Sequence, residues 1–243
     1  MRKIQTAAVA AGAAAALCAV NNAGAFAISG GTPAPAPSAA VHLHVSYPPD
    51  NFDCTGALIG PHWVLSASGC NFGDLSKYPT TIDRGDGTAY NVDAAYNSPS
   101  SNSDVALFHI SQAVPAPTGP PSDPAASGYM VLTDKTDALP AMGDTELVYG
   151  WDPSSLNKLN VKVTRFGTEP GGPFPYISGS DCKSGGCLGP ADYGSPILHN
   201  VNGTTKVVAT SIDFSTVDDR VHCDSEASNI VPQRDWIKST TGI

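Results

Sequence analysis

Two groups of residues in this sequence have side chains and spacings suited to chemistry. The first is His42 and His44, which lie two positions apart in an alternating run, so a strand would present both imidazoles on one face. Such a pair could take part in binding a metal ion, but two ligands are too few to define a site. We therefore predict no metal and no cofactor.

The second group lies in the last third of the chain, where Asp192, Tyr193 and Ser195 surround Gly194. A tyrosine phenol has an unperturbed pKa of about 10 and is a poor nucleophile without an adjacent base. Ser195 carries a better hydroxyl, but no histidine stands beside it in the sequence. Neither residue is therefore predicted to act as a nucleophile.

Short strands are the elements that would position these residues. Alternating apolar and polar runs are separated by Gly, Pro, Asn and Asp, which is the pattern of a barrel or a sandwich. The runs are residues 41–45, 55–65, 104–110, 146–149, 158–166 and 206–212. Residues 113–127 hold five prolines and predict an extended connector between two β units, residues 28–114 and 128–243. Residues 231–238 alone look helical, with Pro232 in the first turn.

The first 27 residues have the features of a secretory signal peptide. Arg2 and Lys3 precede an Ala-rich apolar run, which is followed by small residues. Cleavage after Ala25 or after Ala27 fits the signal-peptidase pattern, and the second would make Ile28 the new N-terminus. We expect a secreted, extracellular protein. The formal net charge of −9, with no basic cluster, argues against nucleic acid and anionic membrane as partners.

One gapless segment resembles a known family. Residues 54–70, CTGALIGPHWVLSASGC, are similar to the chymotrypsin/trypsin segment C-G-G-x-L-I-x-x-x-W-V-L-T-A-A-H-C. Further segments follow in family order: 28–31 resembles I-V-G-G, 104–107 D-I-A-L, 191–196 G-D-S-G-G-P and 210–213 V-S-W-G. The resemblance covers residues 28–243. It implies an all-β fold of two packed six-stranded antiparallel β-barrels with a short C-terminal helix.

The resemblance assigns the family's three catalytic positions to Gly69, Asp104 and Tyr193. The family's chemistry needs an imidazole base, a hydroxyl nucleophile and an orienting carboxylate. Gly69 has no side chain to accept a proton, and Tyr193 replaces the serine, so only Asp104 is kept. Losing base and nucleophile together costs roughly six orders of magnitude in turnover in other serine proteases. The resemblance therefore implies a homologue without catalytic activity.

Three supporting features of the family can be compared with this sequence: its N-terminal ion pair, its oxyanion hole and its substrate pocket. The family pairs its N-terminal isoleucine amine with the aspartate that precedes the nucleophile, and those residues are Ile28 and Asp192. The oxyanion hole is altered, because Pro190 and Ala191 form an apparent insertion and proline brings no N–H. The substrate-pocket positions, counted along the motifs, are Gly185, Gly186, Ser211 and Asp213. The pocket floor therefore lacks the carboxylate that binds Arg or Lys.

Five cysteines remain once the leader is removed, so at least one has no partner within the monomer. The resemblance pairs Cys54 with Cys70 and Cys187 with Cys223, which leaves Cys182 as the free thiol. A bridge between Cys182 and Cys187 would instead free Cys223, and the sequence leaves both pairings open.

Two functions from different classes follow. The first is a non-catalytic binding protein that keeps the scaffold to recognise a protein, peptide or carbohydrate ligand. The second is an active serine-type endopeptidase with atypical catalytic residues. A decayed gene product with no selected role is a third reading.

Overall fold

A computed structural model describes residues 28–101, 103–152, 154–166, 176–181, 186–216 and 222–243. The predicted leader, residues 1–27, lies outside this part of the chain. None of the helices described there has the length and apolar character needed to cross a bilayer.

The described chain is built from fourteen strands, three 3₁₀ turns and one α-helix. The strands are β1 (Thr32–Pro33), β2 (Ala40–Tyr47), β3 (Asp50–Gly60), β4 (Trp63–Ser66), β5 (Thr80–Asp83), β6 (Ala89–Asn91), β7 (Ala94–Asn97), β8 (Ala106–His109), β9 (Thr145–Trp151), β10 (Leu156–Phe166), β11 (Tyr176–Asp181), β12 (Pro196–Val201), β13 (Thr204–Thr216) and β14 (His222–Asn229). The helical pieces are the 3₁₀ turns Ser68–Cys70, Pro190–Asp192 and Val231–Gln233 and helix α1 (Arg234–Thr241).

The first sheet is antiparallel and runs in the order β6-β5-β2-β3-β4-β8-β7. Alternation along β2 directs Val41, Leu43 and Val45 into the core, while His42 and His44 lie on the other face. The predicted run 55–65 is divided between β3 and β4, because the chain reverses at Pro61 and His62.

The second sheet forms a closed ring. Its strands run β10-β11-β14-β13-β12-β9, and β9 pairs again with β10, so six strands close into a barrel. The short strand β1 adds to β10 from outside, which carries the N-terminal segment onto this second barrel. The all-β prediction with two curled antiparallel sheets and a C-terminal helix is confirmed, although the first sheet has seven strands and no closing pair among the described residues.

The connector between the sheets is anchored rather than loose. Asp123 is buried, accepts a hydrogen bond from the Tyr149 hydroxyl at 2.7 Å and pairs with the Lys158 ammonium at 2.6 Å. Burial of Asp123 opposes its ionisation, but these two partners lower its pKa overall. The Ala39 N–H also donates to the Ala125 carbonyl, so the connector is tied to both sheets.

Candidate functional site

Asp104 lies just before β8 and is oriented by the turn that follows β4. Its Oδ1 accepts hydrogen bonds from the backbone N–H groups of Ser68 at 2.7 Å and Gly69 at 3.2 Å, and from the Ser68 hydroxyl. The Cys54–Cys70 disulfide holds this turn against β3. The carboxylate is therefore held beside Gly69.

Tyr193 completes the coordination of the same carboxylate. It follows the 3₁₀ turn Pro190–Asp192, and its hydroxyl donates to Oδ2 of Asp104 at 3.0 Å. Its backbone carbonyl accepts the N–H of Thr55 at 2.9 Å, which fixes the residue against β3. Both oxygens of Asp104 therefore have partners. The Tyr193 phenol occupies the carboxylate oxygen that would otherwise be available to orient an imidazole.

Gly69 and Tyr193 fit each other sterically. A Cβ atom added to Gly69 would lie 2.6 Å from Cε1 of Tyr193, 3.1 Å from Cζ and 3.2 Å from the hydroxyl oxygen. Such contacts are too short for real side chains, so the tyrosine ring fills the space that any side chain at position 69 would enter. The two replacements thus form one packed arrangement.

The turn after Tyr193 keeps a backbone that requires glycine. Gly194 has a φ of +79°, and an added Cβ would meet the Ser66 hydroxyl and the Thr55 carbonyl. Ser195 follows with no exposed surface, and its hydroxyl has no hydrogen-bond partner among the described residues. The Ser195 hydroxyl is therefore enclosed by the protein and does not reach the surface beside Tyr193.

The backbone around the insertion folds back on itself. The Asp192 N–H donates to the Gly189 carbonyl at 2.9 Å, and the Tyr193 N–H donates to the Pro190 carbonyl at 3.4 Å. An oxyanion hole needs such N–H groups to point toward the substrate. Here the N–H of the nucleophile position is directed into the 3₁₀ turn.

The predicted pair of Ile28 and Asp192 is brought together. Ile28 is buried. A single Cβ atom built on Gly150 would lie 3.0 Å from Cγ1 of Ile28 and would also meet the Asp192 carboxylate, so both residues border the same small space. Oδ2 of Asp192 accepts the Gly189 N–H at 2.7 Å, whereas Oδ1 has no hydrogen bond of normal geometry. Burial raises the pKa of Asp192 to about 8, although the backbone N–H groups of Gly189 and Ile28 lower it in part.

The pocket positions are only partly described. Ser211 is buried, and its backbone joins the Gly194 N–H and the Ser195 carbonyl, so this strand lines the turn directly. Gly186 lies against the N-terminal segment, because a Cβ there would meet the Ser29 carbonyl. Gly185 and the side chain of Asp213 lie outside the described part of the chain.

The cysteine prediction is confirmed for one bridge. Cys54 and Cys70 are joined, with their Cα atoms 6.3 Å apart. Cys187 is also disulfide-bonded. Its candidate partners, Cys182 and the side chain of Cys223, fall outside the described positions, so the second pairing stays a prediction.

The family relationship can now be stated. The family model described as Trypsin matches residues 28–211, which is most of the chain. The chain belongs to the trypsin family. No curated protein gives a significant match. The matched range includes all three positions described above, Gly69, Asp104 and Tyr193.

Two arrangements were not predicted from the sequence. The first is the hydrogen bond from Tyr193 to Asp104, which depends on the approach of segments 89 residues apart. The second is the position of Asp53, which β-sheet register places directly opposite His44. The hairpin turn between Tyr47 and Asp50 is the signal that would reveal Asp53, because residues equally distant from that turn on the two strands face each other.

Proposed function

We propose that this trypsin-family protein is an exported homologue without peptidase activity, which acts by binding. One observation carries the proposal: the Tyr193 ring fills the space beside Gly69, and its hydroxyl takes the Asp104 oxygen that would orient an imidazole. Neither a base nor an accessible nucleophile stands in this arrangement. The burial of Ser195 and the inward Tyr193 N–H support the same conclusion.

A cluster of aromatic side chains supports a role in recognition. Tyr47 is 41% exposed and stacks on Tyr78 with ring centroids 5.0 Å apart, and Phe72 contacts both rings. Phe52 extends the cluster from the neighbouring strand at 5.4 Å from Phe72. Partly exposed aromatic side chains are enriched at sites that bind proteins and other ligands. The ligand class proposed is a protein, a peptide or a carbohydrate.

Activity is tested with a serine-reactive fluorophosphonate probe and an unfolded protein substrate. We expect neither labelling nor cleavage above the level of the Asp104→Ala variant, which removes the last member of the family triad. An active trypsin-family enzyme serves as the positive control. Labelling that disappears in Ser195→Ala, or cleavage that disappears in Asp104→Ala, would establish the endopeptidase alternative.

Binding is tested separately on immobilised unfolded polypeptide and on polysaccharide. The matched variants are Tyr47→Ala, which removes an exposed ring of the aromatic cluster, and Tyr96→Ala, which removes an equally exposed ring on β7. We expect Tyr47→Ala to weaken binding by about tenfold, the effect of a typical interface contact of 1–2 kcal/mol. Equal effects of both variants would contradict a specific role for the cluster.

A further inference from the structure

Three side chains that lie outside the group of Gly69, Asp104 and Tyr193 converge on one point of the first sheet. His42 and His44 project from the same face of β2, and Asp53 projects from β3 opposite His44. Oδ1 of Asp53 lies 3.0 Å from Nε2 of His42 and 2.8 Å from Nδ1 of His44. All three candidate ligand atoms lie within 4.8 Å of one another.

The spacing and chemistry of these atoms suit a metal ion. In a tetrahedral zinc site with bonds of about 2.0–2.1 Å, ligand atoms are about 3.3 Å apart, so small side-chain rotations would bring these three into position. Two imidazoles and one carboxylate favour zinc and its neighbours in the first transition row over calcium or magnesium, which prefer all-oxygen ligands.

The surroundings hold two of the ligands firmly and leave the third accessible. His42 is 15% exposed and stacks on Trp151 at a centroid distance of 5.9 Å and an angle of 19°. Asp53 is 17% exposed, whereas His44 is 44% exposed and gives the group an open side. The hydrogen bond from His42 lowers the pKa of Asp53, burial opposes this effect, and the hydrogen bond from His44 lowers the pKa further. The carboxylate therefore stays charged.

A second trio of comparable composition is a weaker candidate. Asp144, Glu146 and His199 also cluster, but burial raises the pKa of Glu146, which favours a protonated carboxyl that binds metal poorly. Oδ2 of Asp144 is already engaged by the Ala141 N–H at 2.7 Å. The trio on β2 and β3 has more nitrogen ligands and a charged carboxylate.

We propose that His42, His44 and Asp53 bind a divalent transition-metal ion of the zinc type, with a fourth coordination position open to solvent. Three protein ligands and an open position allow the ion to hold water or a donor group of a partner. Asp53 lies two residues before Thr55 on the same strand face, and the Thr55 hydroxyl donates to the Ala191 carbonyl and accepts the Trp151 N–H. The ion would therefore lie two residues along β3 from the contact with the 3₁₀ turn Pro190–Asp192. The proposal does not depend on the absence of peptidase activity.

The test is calorimetric titration of the chelator-treated chain, residues 28–243, with Zn²⁺ at neutral pH. We expect one saturable Zn²⁺ per chain. His44→Ala, at an accessible position, and Asp53→Asn, which keeps the side-chain shape, should each weaken binding by at least about tenfold, since loss of even an outer-shell partner costs 10–100-fold. His109→Ala is the matched control, because His109 forms a similar pair with Asp93 at 2.6 Å but belongs to no such trio among the described residues.

A second readout needs no variant. Co²⁺ bound in place of Zn²⁺ should give the intense visible bands of a four-coordinate ion with nitrogen ligands, and acidification should release it as the imidazoles take up protons. The proposal is overturned if no saturable binding is found. It is equally overturned if binding survives in both His44→Ala and Asp53→Asn, or if it is lost in His109→Ala.

Discussion

The group of Gly69, Asp104 and Tyr193 and the pocket around Ile28 lie on either side of the turn 190–194 and differ in how far their polar groups are satisfied. Beside Gly69, both Asp104 oxygens have partners, and the Tyr193 ring fills the remaining space. Beside Ile28, the carboxylate of Asp192 is buried with one oxygen lacking a normal hydrogen bond. In the first region both carboxylate oxygens have partners, whereas in the second Oδ1 of Asp192 has none among the described residues.

This difference separates two parts of the family's machinery. Under the proposed assignment, the positions of the family's nucleophile and base hold a phenol and a glycine that fit each other. The two residues that correspond to the family's N-terminal ion pair, Ile28 and Asp192, are both present. We propose that cleavage after Ala27 frees the Ile28 amine to pair with Asp192, which would order the recognition surface without restoring catalysis.

The largest effect is expected at the N-terminus of the mature chain. A chain that starts at Ile28 should be about 3 kcal/mol more stable than one that starts at Ala27, because only the former can bury an ammonium next to Asp192. Urea unfolding of both chains at neutral pH measures this. In the Asp192→Asn background the difference should vanish, and equal stability of the two unmodified chains would contradict the ion pair.

The pH dependence of the longer chain gives the next effect. With a peptide bond before Ile28, the folded pKa of Asp192 is about 8, while an unfolded aspartate titrates near pH 3.9. A carboxyl whose pKa is raised on folding stabilises most below the unfolded pKa, and the contribution is lost as the pH rises toward 8. The stability of this chain should fall with pH by up to about 1.4 kcal/mol per unit. The slope should flatten in Asp192→Asn, and a chain starting at Ile28 should not show it; an unchanged slope in Asp192→Asn would assign the effect to other groups.

A smaller effect tests the fit between positions 69 and 193. Gly69→His should lower the free energy of unfolding by about 1–3 kcal/mol, because the new Cβ meets the Tyr193 ring. Gly69→His combined with Tyr193→Ser should recover much of that loss, giving a favourable coupling energy in a double-mutant cycle followed by urea unfolding. Additive effects would show that the two residues do not share the space.

Much of the fold could be predicted from the sequence, because short-range patterns determine it. The alternation of residues 41–45 and the motif of residues 54–70 located β2, β3 and β4. The C-terminal helix was predicted too early: Pro232 lies in the 3₁₀ turn Val231–Gln233, and the helix itself runs from Arg234 to Thr241. Strands β5, β6 and β7 of the first sheet match none of the predicted runs, since they are only three or four residues long. Strands of this length carry too little alternation to stand out from turns.

The candidate site was predictable in its residue types but not in its contacts. The motifs identified Gly69, Asp104 and Tyr193 because each is a departure or a match at a defined position. The hydrogen bond from the Tyr193 hydroxyl to Asp104 depends on the side-chain direction set by the 3₁₀ turn Pro190–Asp192. This turn contains the apparent insertion of Pro190 and Ala191, which has no counterpart in the motif. The third member of the His42–His44 group was missed for a similar reason, because cross-strand register is set by the turn that joins the strands.

The anchoring of Asp123 between Tyr149 and Lys158 has a consequence for binding. A Pro-rich segment that joined two sheets only at its ends would let them swing, and a ligand touching both would have to freeze that motion. Here the segment is clamped along its length, so the two halves are expected to move as one. A ligand spanning them would meet a surface already in its final shape, and little of its binding energy would be lost to ordering the protein.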